Sequence, residues 1–198
     1  RYGEQFDQLK ETRTVSFWRG DEVYREYAKR GIKACVYLYY GALEYRKRHY
    51  QGAPPADLPQ MIDPVWHRGY LQACREACAR YGRVPGIGSF FVADETSGAY
   101  RGAIIPVEKR VSPFWAELDR EVKAQYGAGE YGLPTGPDDP NPYRWIAYLS
   151  WANHQLVDTF AGLRRIIDAS GCGARLLGPD EAGMLYPLDW AGLGRYID

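Results

Sequence analysis

The sequence predicts a mainly α fold: an irregular helical domain of four to five helices, a small β-hairpin and long Gly/Pro connectors. Three observations carry this expectation. Apolar residues recur at helical spacing in several segments that open on capping residues. One stretch, Gly86 to Lys109, strings β-favouring residues together. Two runs, Gly52 to Ile62 and Gly127 to Asp139, are rich in glycine and proline and read as connectors. The expected organisation is an N-terminal arm over 1–14, a helical domain over 15–171 and an irregular tail over 172–198 packed on its surface.

The arm is polar and lacks a clear period, and Val15 to Trp18 reads as a short strand or the lead-in to a helix. The next stretch, Gly20 to Gln51, stands out. Asp21 supplies an N-cap, and Val23, Tyr27, Ala34, Leu38, Ala42 and Tyr45 follow at helical spacing. Lys29 and Arg30 before Gly31 form a helix C-terminus signal. The spacing therefore predicts two helices, about 21–30 and 33–50. The middle of the stretch, Ala34 to Leu43, is nearly free of charge on every side and demands apolar neighbours on more than one face.

Asp63 and Pro64 form the next N-cap and first-turn pair. Trp66, Tyr70, Ala73, Ala77 and Tyr81 then line one face of a helix that Gly82 and Pro85 stop. Ala73 and Ala77 are small enough for another helix to approach closely. Beyond them, SFFVADE and YRGAIIPVE flank Thr96, Ser97 and Gly98, which predicts the hairpin. Ser112 and Pro113 open a helix with Phe114, Leu118, Val122 and Tyr126 inward. Asn141 and Pro142 open the longest one, with Trp145, Leu149, Ala152, Leu156, Phe160, Leu163 and Ile167 as its apolar stripe and Gly171 as its stop.

The totals bound the function. The chain has 198 residues and a formal net charge of zero, so the bulk electrostatics that holds phosphate backbones is absent and nucleic acid is not an expected partner. No run approaches the roughly twenty apolar residues of a membrane span. Seventeen tyrosines and six tryptophans suit interfaces as well as cores. Four cysteines in a chain of this length do not make a disulfide scaffold. The chain opens on Arg1 without an apolar signal segment, so the expectation is a processed or excised chain. Its expected setting is an organelle interior, for example mitochondrial, with the cytoplasm as the alternative.

Each candidate chemistry has a bland counterpart. Ser150, His154 and Asp158 form one stripe on the longest helix, opposite Leu156, which fits a solvated face better than a nucleophilic triad. Cys74 and Cys78 lie one turn apart and could offer two metal ligands, with Cys35 or Cys172 completing a set. His67 is about 10 Å of helix rise from Cys74, too far to join the same ion. Small buried cysteines are the default reading, a disulfide to Cys35 or Cys172 the next. Gly86–Ile87–Gly88 before Ser89 lacks the strand and helix that give a phosphate loop meaning. The acidic pairs Asp94–Glu95, Asp138–Asp139 and Asp180–Glu181 sit in turns and read as solvated carboxylates. Arg19–Gly20–Asp21 matches a three-letter integrin signal, and Asp21 already has a capping role.

Arg19 after VSFW, with Ser89 opening a strand, resembles the arginine and serine of ADP-ribosyltransferases. That resemblance implies a nicotinamide-nucleotide pocket joining Arg19, Ser89 and a glutamate such as Glu95 or Glu108. The Glu-x-Glu pair common in those enzymes does not occur here.

The expected function is a non-catalytic accessory or interaction subunit of a larger assembly, such as a respiratory or ATP-synthase complex, with protein subunits as partners and no cofactor or metal. The expected interface residues are Val36, Tyr37 and Tyr40, with Trp18 and Tyr131 in flanking segments. The alternative is a small enzyme or toxin domain acting on a nicotinamide nucleotide.

Overall fold

A computed structural model describes residues 20–92, 105–127, 132–136, 138–178 and 188–198 of the chain. Its elements in order are α1 (Gly20–Lys29), β1 (Ala34–Tyr37), α2 (Tyr39–His49), α3 (Pro64–Tyr81), β2 (Ile87–Phe91), α4 (Phe114–Tyr126), α5 (Pro142–Ser170), β3 (Arg175–Leu177) and α6 (Trp190–Leu193), with short 3-10 turns at Gln60–Ile62 and Val107–Lys109. The architecture is mostly helical around a three-stranded parallel sheet of order β1-β2-β3. Among the described residues α2 and α3 lie between β1 and β2, and α4 and α5 between β2 and β3, giving the long crossovers that parallel pairs require.

The sheet corrects two expectations. The apolar middle of Gly20–Gln51 is not the start of a second helix: Ala34–Tyr37 is extended and Tyr39–His49 is helical. A short apolar run looks the same in a buried strand and in a buried helix, so its spacing could not separate them. The hairpin also gives way. β2 is paired in parallel with β1 on one edge and β3 on the other, so both of its hydrogen-bonding edges are taken. Residues 93–104, where the hairpin turn was expected, lie outside the described residues. The 172–198 segment differs from an irregular tail as well, because it supplies β3, and the Leu176 N–H and C=O both bond to Asp198.

Register places Val36, Phe90 and Leu176 side by side across the sheet, each no more than 1% exposed. Alternation along a strand turns this row to one face, where it joins the core with Ala73 and Ala77 of α3 and Phe160 and Leu163 of α5. Burying each such side chain contributes about 1.5–3 kcal/mol. α3 lies at the centre of this layer, packed along α2 on one side and α5 on the other. Its approach to α2 is close: a Cβ on Gly69 would lie 2.8 Å from the Ala42 carbonyl oxygen. The predicted face of α3 is buried throughout, with Trp66, Tyr70, Ala73, Ala77 and Tyr81 at most 2% exposed.

The helix ends follow local chemistry. The Asp63 side chain accepts from Val65 N and the Asn141 side chain from Tyr143 N, each before a proline in the first turn. Gly31 (φ 71°) and Gly171 (φ 65°) follow helix ends in the left-handed region, which glycine occupies without a Cβ clash. Asp63 does more than cap. Fully buried, it also accepts from Arg46 Nε at 2.5 Å and from the Tyr50 hydroxyl at 3.1 Å. The same guanidinium reaches the Leu58 carbonyl at 2.6 Å, so α2, the proline-rich connector and α3 meet at one ion pair. Burial, and then the Asp63 charge beside it, pushes the Tyr50 phenol up to about 12.

Candidate interface on the second face of the sheet

Parallel sheets are usually covered on both faces. Here the helical layer takes the Val36–Phe90–Leu176 row, and the intervening residues turn the other way. Two rows result: Cys35–Ser89–Arg175, and Tyr37–Phe91–Leu177 next to it towards the carboxyl ends of the strands. Cys35 and Arg175 are exposed, and Tyr37, Phe91 and Leu177 are half-buried. None of these three belongs to the core cluster or packs against it among the described residues. Tyr37 and Phe91 instead stack on one another, with ring centroids 5.3 Å apart.

The chain leaves β1 through Leu38 directly into α2, and this tight turn gathers tyrosines. Tyr37 lies 5.7 Å from Tyr40 and 6.0 Å from Tyr39 between ring centroids. Tyr40 is 38% exposed, and Tyr39 turns its edge to buried Trp66 at 5.1 Å. Beneath them the Tyr70 hydroxyl and the Trp66 indole N–H are buried without a hydrogen-bond partner among the described residues. Burial, reinforced by neighbouring Tyr39 and Tyr37, drives the Tyr70 phenol well above its ordinary value. Buried polar groups normally find partners, so this aromatic corner carries a desolvation cost.

Of the expected interface residues, Tyr37 and Tyr40 meet at this corner. Val36 does not. At 1% exposure it lies in the core row, because strand alternation sends it opposite to Tyr37, whereas a helix would have placed the two side by side. Trp18 and Tyr131 lie outside the described residues. Phe91 and Leu177 were missed because only strand pairing brings them to Tyr37.

Among the described residues the catalytic candidates do not assemble. His154 Nδ1 meets Gln125 Nε2 at 2.7 Å and the Tyr126 hydroxyl at 3.1 Å, which binds α5 to the end of α4. Asp158 is exposed on the same helix. His67 Nδ1 contacts Thr159 Oγ1 at 2.8 Å, and that hydroxyl donates to the Gln155 carbonyl, so the imidazole joins α3 to α5. Among the described residues no three His, Cys, Asp or Glu side chains are grouped to hold a metal ion. Cys172 does approach Cys78, at 3.8 Å between sulfurs, while Cys35 is exposed on the sheet face turned away from the helical layer. Gly86 (φ 101°) serves packing, since Ala28 lies against it with no room for a Cβ. Arg19, Asp94, Glu95, Asp180 and Glu181 lie outside the described residues. Ser89 sits within β2 and Glu108 on the Val107–Lys109 turn.

One cleft of about 530 Å³, lined by residues including Asp57, Ile105, Lys109 and Val111, contains neither Ser89 nor Glu108. Its single carboxylate is a structural node. Asp57 Oδ2 accepts from Val111 N at 2.8 Å, Ser112 N at 2.7 Å and Trp115 Nε1 at 3.1 Å. Burial raises its pKa, but these donors outweigh burial and hold the carboxyl below its ordinary value. Asp139 is similar. The Thr135 N–H, against opposing burial, and then the Asn141 N–H and Arg144 keep it ionised within the connector. Among the described strands the order runs 1-2-3, without the reversal at which α/β ligand crevices open.

No family model matches the chain, and no curated protein matches it. No helix among the described residues is long and apolar enough to cross a membrane.

Proposed function

We propose that this protein is a non-catalytic accessory subunit whose partner protein docks over the second face of the sheet. The observation that carries this reading is one-sided cover: helices pack on the Val36–Phe90–Leu176 row, while the Tyr37–Phe91–Leu177 row opposite joins no core among the described residues. Aromatic side chains ending in a polar tip, with an arginine beside them, are the composition that interface centres favour. Tyr40 and Arg175 extend the surface at its two ends. The scattered histidines and structurally engaged carboxylates support the non-catalytic part of the reading. The proposed setting remains an organellar assembly.

Photo-crosslinking through a benzophenone side chain at position 40, followed by purification from the source cells, tests this. The expected result is a discrete crosslinked protein, lost when Leu177→Glu is added and retained when the remote surface change Val111→Glu is added instead. Crosslinks that ignore Leu177→Glu would overturn the proposal.

A further inference from the structure

Three of the four cysteines converge at the C-terminal end of α3, away from the second face of the sheet. Cys74 and Cys78 occupy successive turns of that helix, and Cys172 stands in the link between α5 and β3. The sulfurs of Cys78 and Cys172 are 3.8 Å apart, across 94 residues of sequence. Cys172 is half-buried, Cys78 is 7% exposed and Cys74 is fully buried, so solvent reaches the group through Cys172. The local backbone holds Cys172 there. Its N–H donates to Ser170 Oγ at 3.2 Å, and that hydroxyl donates to the Ile167 carbonyl at 2.7 Å. Close packing continues the arrangement: a Cβ on Gly82 would come within 2.8 Å of the Cys172 Cβ. Gly171 and Gly173 flank the cysteine, both at φ 65°.

We infer that Cys78 and Cys172 form a dithiol site that low-molecular-weight disulfides, such as oxidised glutathione, convert to an intramolecular disulfide. The Cys172 thiolate, having released its proton to buffer, attacks one sulfur of the small disulfide. A protein–glutathione mixed disulfide forms and one glutathione thiolate leaves and is protonated. The Cys78 thiolate then attacks the Cys172 sulfur, closing the Cys78–Cys172 bond and expelling the second glutathione thiolate. Two protein thiols are oxidised and one small disulfide is reduced to two thiols. Cys74, fully buried one helical turn before Cys78, is not consumed. Closure needs the sulfurs to move from 3.8 Å to about 2.05 Å, which the glycine-flanked Cys172 link can supply.

The inference is independent of the partner reading. The full chain is equilibrated with oxidised and reduced glutathione, quenched with acid, alkylated and mapped by peptide mass spectrometry. The expected product joins the Cys78 and Cys172 peptides, with Cys74 still a thiol. A cross-link spanning so long a loop should lower the unfolding equilibrium constant roughly a hundredfold or more, an effect absent from Cys172→Ser and from Cys78→Ala. Accumulation of the glutathione adduct on Cys172 without ring closure would overturn the inference. So would a native-state bond from Cys74 in place of Cys78.

Discussion

Replacing Arg46 with methionine tests the junction on which α2, the connector and α3 converge. Arg46 and Asp63 are 7% and 0% exposed at the side chain, with 2.5 Å between Nε and Oδ2. Methionine keeps most of the apolar stem and removes the charge. Asp63 then retains only the Tyr50 hydroxyl and the Val65 N–H, the Leu58 carbonyl loses its guanidinium donor, and the contact of Arg46 over the Tyr50 ring disappears. Leaving one member of a buried pair uncompensated costs about 3–5 kcal/mol, against a total stability of about 5–15 kcal/mol for a domain. Arg46→Met should therefore lose roughly a fifth of the stability or more. Adding Asp63→Asn should recover part of that loss, because the orphaned charge goes with it. The exposed Lys47–Glu44 pair is the control, and Lys47→Ala should cost less than about 1 kcal/mol. Urea unfolding at pH 7, followed by tryptophan fluorescence and circular dichroism, reads all four proteins. If Arg46→Met unfolds within about 1 kcal/mol of the wild type, the junction is not energetically coupled and the reasoning fails.

Two further predictions concern other polar groups. Tyr70→Phe removes a buried hydroxyl that has no partner among the described residues, so stability should stay level or rise by about 1 kcal/mol; a loss above that in thermal or urea unfolding would show that the hydroxyl is satisfied in solution. Asp139→Asn should destabilise the Thr135–Asn141 connector at neutral pH, because the ionised carboxylate accepts from both backbones and from Arg144. Its folded pKa is depressed, so the stability it contributes is present above the ordinary value of 3.8 and is lost as pH falls below it. The gap between wild type and variant should close in acid, and a pH-independent gap in urea titrations would contradict this.

Several elements were legible in the sequence because their determinants are local. Asp63–Pro64 and Asn141–Pro142 start helices with groups two residues apart, and Gly31 and Gly171 end them through a single backbone conformation. The apolar stripes of α3 and α5 could likewise be read as faces before their partners were known. The candidate interface was only half legible. Tyr37 and Tyr40 attracted attention through aromatic density, but Phe91 and Leu177 carried no signal of their own, and Val36 was assigned to the wrong side.

Gly20–Gln51 shows where the division falls. By itself the sequence determined a charged first helix, a stop at Gly31 and an uncharged centre that had to be enclosed. Tertiary structure decided what enclosed it. Ala34–Tyr37 becomes a strand because Ile87–Phe91 lies beside it, and the shared sheet with Arg175–Leu177 then sets which side chains turn inward. The physical reason is that caps and stripes draw on neighbours within a few residues, while parallel pairing draws its partners from distant segments through long crossovers. Within a strand, one residue's shift of phase exchanges core for surface, so the inward place of Val36 and the outward place of Tyr37 follow from that pairing.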